Sequence, residues 1–138
     1  MSETFLVTDT HPLVWYLANK ENKLPKHVLA AFKSAQEGSG AYIWVPSVVV
    51  WELSELMRKT DRIKLEVPFE ELIKDNFYFK SLAITDLQPD DLVIGYSLDF
   101  NRDPFDRLIV ATAIRLGLPL MTADGDITDA KPCKIFWR

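Results

Sequence analysis

Several features that would place a chain outside the cell or in a membrane are missing here. Cys133 is the only cysteine among 138 residues, so no internal disulfide can form and a reducing, intracellular setting is expected. Long apolar runs are absent too. Residues 5–7 and 48–51 fall far short of a signal-peptide core or a membrane span. Residues 1–5 carry no basic residue, which adds to the expectation of a cytoplasmic protein without membrane association. Glycine is scarce, at five residues, and Gly38-Ser39-Gly40 is too short to divide the chain. With no internal repeat or low-complexity tract, residues 1–138 are expected to form one domain, long enough to bury a core without staples. Excess positive charge is also lacking. A net charge of −4 argues against coating nucleic acid by electrostatics alone, but not against an enzyme that acts on it.

What is present has a globular balance, 48% hydrophobic and 26% charged. β-like runs at residues 5–8, 42–45, 82–85 and 118–122 alternate with helical patterns, and residues 134–137 supply a fifth strand. Helices are expected over residues 11–19, from Pro25 to Gly38, from a Ser47 cap to about Lys59, and over 69–79, 89–98 and 104–116. Alternation without a hairpin signal predicts an α/β domain, a parallel five-stranded sheet flanked by helices in three layers. Ligands of such sheets bind at the carboxyl ends of the strands.

Acids gather at those ends. Asp9 follows the first strand, where a helix cap is the structural alternative unless Thr10 takes that job. Glu52 lies mid-helix, and its neighbours three and four positions away are Val48, Val49, Leu56 and like-charged Glu55. A carboxylate on an apolar face is costly unless paired or bound to metal, the alternative being a rim glutamate with a distant arginine. Asp103 precedes Pro104 and suits a helix N-cap. Asp106, in the first turn, suits either the helix dipole or a cleft. Asp124 ends the fourth strand before Gly125, a turn pair, and Asp126 is expected to cap the segment that follows.

Two carboxylates about 4 Å apart repel by roughly 4 kcal/mol at an effective dielectric near 20. A cluster of acids therefore calls for protonation or a cation. Oxygen ligands favour Mg²⁺ or Mn²⁺ over zinc, and such ions suit phosphoryl chemistry.

Four segments together resemble PIN-domain ribonucleases, and among them the VapC-type toxins of type II toxin–antitoxin pairs. They are Val7-Thr-Asp9, Pro46-Ser-Val-Val-Val-Trp-Glu52-Leu, Asp103-Pro-Phe-Asp106-Arg-Leu-Ile-Val-Ala-Thr-Ala113 and Leu120-Met-Thr-Ala-Asp124. The resemblance covers essentially the whole chain, and the third segment is the most specific. It implies Asp9, Glu52, Asp106 and Asp124 as catalytic, metal-binding acids, Asp103 as a further acid and Thr122 as a supporting hydroxyl. It also implies metal-dependent endonucleolytic hydrolysis of RNA, a homodimer and a small antitoxin that blocks the site.

Arg58, Lys59, Arg62 and Lys64 form a basic run near Glu52, read either as phosphate tracking or as a solvated helix end. Trp15, Tyr16, Trp44 and Trp51 are expected in the core or an interface rather than on RNA, and His11 and His27 lack ligand spacing. A haloacid-dehalogenase-type phosphatase would need Asp-x-Asp where Asp9-Thr10-His11 stands. A response-regulator receiver would need an acidic pair after the first strand, where Thr8-Asp9 stands. The remaining alternative is a PIN-fold module that binds RNA or protein with little turnover.

Overall fold

Leu6, Val7 and Thr8 are consecutive and all fully buried, so the first strand is covered on both faces. That strand, β1 (Thr4–Thr8), lies inside a parallel sheet with β2 (Ala41–Pro46), β3 (Leu82–Thr85) and β4 (Leu120–Met121). The computed structural model describes residues 3–65, 68–75, 79–100 and 103–137. The strand order is β3-β2-β1-β4. The helices are α1 (Thr10–Leu17), α2 (Lys26–Glu37), α3 (Ser47–Lys59), α4 (Phe69–Lys74), α5 (Pro89–Ser97), α6 (Pro104–Leu116) and α7 (Gly125–Ala130). Strand residues Leu6, Ile43, Leu82 and Leu120 meet helix residues Leu13, Phe32, Leu53, Ile109 and Ile127 in one core.

The expected fifth strand is reduced to a bridge. Ile135 pairs with Leu120 through Leu120 N–H to Lys134 O and Phe136 N–H to Leu120 O, both 2.8 Å, but the contact extends no further. Pro132 and Cys133 leave the chain too little length beside a two-residue β4 to build a ladder. The helix expected over 69–79 ends at Lys74, and residues 76–78 lie outside the described part. Ser47 is the first residue of α3 and not its cap; Pro46 holds that position with no side-chain bond. Asp126 sits inside α7, whose cap is Asp124.

Two helices end on glycines in the left-handed region, Gly38 at φ 73° and Gly117 at φ 68°, each turning the chain toward the next strand. Gly95 has another role. A Cβ there would stand 3.3 Å from Leu108 Cδ2, so the missing side chain lets α5 lie close on α6. Asp91 on α5 is fully buried and receives the Arg115 Nε–H of α6 at 2.5 Å, and its other oxygen accepts Gln88 N–H at 2.8 Å. This pair holds α6, the helix that brings acids to the sheet edge.

Candidate active site

The chain leaves β1 in one direction through β2 and β3, and returns on its other flank as β4. Between β1 and β4 the strand order reverses, which opens a crevice at their carboxyl ends. Asp9 lies over it, 4% exposed, its backbone N–H donating to Met121 O at 2.9 Å. Thr122 Oγ1–H donates to Asp9 Oδ2 at 2.7 Å, and Thr122 Oγ1 in turn accepts Asp124 N–H at 3.0 Å. One hydroxyl thus ties the acids of two strand ends together.

Thr10 joins the third. Its backbone N–H donates to Asp9 Oδ1 at 2.7 Å, and its hydroxyl donates to Glu52 Oε1 of α3. Asp9 is therefore the cap of α1, and Thr10 does not replace it but links it to Glu52. Asp103 caps α6 by accepting Phe105 N–H at 2.9 Å, and Asp124 caps α7 by accepting Ile127 N–H at 2.9 Å. Both bonds use Oδ1, so capping accounts for one oxygen of each carboxylate.

Electrostatics bring in Asp106. Burial first, then the charges of Asp9, Asp103, Asp124 and Glu52, push its carboxyl up to about 7. Burial is also the main cause that raises Asp9 and Glu52, and Asp9 and Asp103 raise Glu52 further. The opposing influences on Asp9 are the bonds from Thr122 and Thr10 and the nearby imidazole of His11. Five acids from β1, α3, α6 and the β4 exit thus face one another. They do so at Coulombic range, since no three acid, His or Cys side chains among the described residues form a ready-made ligand shell.

A family model for the PIN domain matches residues 6–131. The chain belongs to the PIN domain family. Curated protein sequences yield no match. Among solved structures, the PIN chain is similar to the VapBC2 structure from Rickettsia felis bound to a DNA fragment from its promoter, with 15% identity and a TM-score of 0.65. The match covers 98% of this chain and 100% of that one. It is also similar to a toxin–antitoxin complex from Klebsiella pneumoniae, with 17% identity and a TM-score of 0.59, covering 94% and 99% of the two chains. At these identities the likeness is one of fold.

The PIN fold brings Asp9, Glu52, Asp103, Asp106, Asp124 and Thr122 to one crevice. Of the basic run, Lys59 lines a cleft of about 660 Å³ beside Glu52 and Asp103, while Arg58, Arg62 and Lys64 are exposed outside its lining. Sequence reasoning missed three neighbours. Thr10 reads from sequence only as a cap and His11 only as a histidine without ligand spacing, and Trp51, expected in the core or an interface rather than on RNA, lies outside the core, 57% exposed on the cleft. No local signal marks Trp51 as exposed, since adjacent Val49 and Val50 of the same helix are both buried.

The donor set fits a hard divalent cation. Every candidate ligand is a carboxylate oxygen, and burial first, with repulsion from neighbouring acids added, raises the Asp9, Glu52 and Asp106 carboxyls, both of which a cation would offset.

Proposed function

We propose that this PIN domain is a divalent-metal-dependent endoribonuclease that hydrolyses RNA phosphodiester bonds, the VapC-type toxin of a toxin–antitoxin pair. One observation carries the reading: acids from four separate elements converge on the crevice where the strand order reverses, with Asp106 pushed up to about 7. Asp9, Glu52, Asp106 and Asp124 would hold Mg²⁺ or Mn²⁺, with Asp103 at the margin. When bound, the ion activates water, orients the phosphate and steadies charge on the leaving oxygen.

The chain's own groups prepare that chemistry. Thr122 holds Asp9 in one rotamer and fixes Asp124 N–H beside it. Thr10 locks Asp9 to Glu52, so the two carboxylates are oriented before substrate arrives. The buried crevice lowers the local dielectric, which strengthens every interaction with a charged phosphate.

The partners are an RNA substrate, an antitoxin that covers the site and a second copy of the chain, in the cytoplasm. The antitoxin is supported by the company the similar folds keep, since both solved structures are described as toxin–antitoxin or VapBC assemblies. A homodimer is supported by α5, whose outer side leaves Leu92, Val93 and Tyr96 exposed, Tyr96 by 88%. Among the described residues no helix is long and apolar enough to cross a membrane.

The test is cleavage of RNA by purified chain with Mn²⁺, against Asp9→Asn and against EDTA. Cleavage should fall by about a hundredfold or more in both, as expected when a ligand or its metal is removed. Cleavage that survives either change would sink the metal-nuclease reading, and RNA binding without cleavage would favour a binding module.

A further inference from the structure

The cleft of about 660 Å³ beside the acids has walls the proposed chemistry does not use. Trp51, Glu55 and Lys59 lie four residues apart on α3, so they form one ridge along that helix, spanning roughly 12 Å. Pro104 and Phe105 of α6 line the same cleft, and so do Glu52 and Asp103, two of the clustered acids. Trp51 stands outside the core, 57% exposed. Lys59 makes no ion pair with any described residue.

We propose that this cleft is the subsite for the nucleotide next to the scissile phosphate, with Trp51 stacking its base. The inference rests on the nuclease reading and names where a single RNA strand lies on it. An exposed indole on an open cleft is a stacking platform for an unpaired base, which every base can use through its π-face. Lys59 supplies positive charge for a phosphate at the far end of the ridge. Glu55 repels phosphate, so the edge beside it belongs to a base, and a carboxylate accepts from an exocyclic amine. Every unpaired base can offer such a donor, as an exocyclic amine or, in uracil, as the ring N3–H. The subsite therefore takes an unstacked base, and a duplex whose bases remain paired is excluded.

The experiment first maps a cleavage site in cellular RNA, then uses short oligonucleotides that span it, intact or lacking one base at a time. Trp51→Ala should raise KM on intact RNA by about tenfold or more, with kcat little changed. On the oligonucleotide whose flanking base is missing, wild type and Trp51→Ala should bind alike. Trp51→Phe should restore much of the loss. Equal losses on intact and abasic RNA would show a merely structural role and overturn the assignment. Unchanged kinetics in Trp51→Ala would also overturn it, leaving the cleft to a protein partner. If wild type cleaves no RNA and Asp9→Asn binds none, the nuclease reading itself has failed, and the subsite with it.

Discussion

Asp103 and Asp124 each cap a helix with one oxygen while belonging to an acid cluster. Cap and site are not rival explanations for an acid at a strand–helix junction, because a carboxylate has two oxygens and about four lone-pair directions. Asp9 has both oxygens engaged, and the bond from Thr122 is the one that crosses the crevice. Thr122→Val leaves a buried carboxylate oxygen unpaired, a cost of about 1–3 kcal/mol. We expect a lower Tm and turnover reduced by about tenfold, with Thr122→Ser close to wild type; calorimetry and cleavage rates check both.

Asp106 gives a pH dependence opposite to the usual carboxylate. Its folded pKa is raised, to about 7, so the folded chain keeps a proton that the unfolded chain releases. The stability from this group is complete below about pH 4 and is lost as pH climbs through about 7. In EDTA, Tm should fall between about pH 5 and about pH 8, and Asp106→Asn should flatten that slope. A wild-type Tm that is level or rising across this range would refute the raised Asp106 carboxyl, and with it the burial and crowding of acids that raise it.

At the scale of elements, α6 matters most, because it carries Asp103 and Asp106 and is held by α5. The buried Asp91–Arg115 pair and the close approach at Gly95 make that hold. Removing one partner leaves a buried charge uncompensated, so Asp91→Ala should cost about 3 kcal/mol or more, read by urea denaturation. Most elements were legible from local signals. The α6 start and stop were marked by Asp103-Pro104 and Gly117, and α2 by Pro25 and Gly38. The fifth strand shrinks to a bridge because it depends on where a neighbouring backbone passes, which composition does not encode, while the two caps stand one or two positions earlier than expected, at Pro46 and Asp124. Asp91 passed unnoticed for the same reason: its partner lies 24 residues away on another helix.

At the scale of the whole molecule, four of the six large hydrophobics most exposed among the described residues, Leu87, Leu92, Val93 and Tyr96, cluster at α5 and the turn leading into it. On a chain with net charge −4, such a patch suits self-association through apolar contact better than capture of a charged partner. Val93→Glu combined with Tyr96→Glu should convert a dimer to a monomer by light scattering while the Tm stays near wild type. An unchanged mass would place the dimer contact elsewhere or deny it.

By itself the sequence determined the parallel α/β plan, because alternating apolar runs and helix stops are local physics. It also determined which acids leave the strands, because each stands at a fixed distance from its strand. Their convergence was decided only by the tertiary structure. Strand order places β4 beside β1, and only then can Thr122 reach Asp9 across 113 residues of chain. The exposure of Trp51 and the company of His11 and Thr10 were settled the same way, by which element packs next to which.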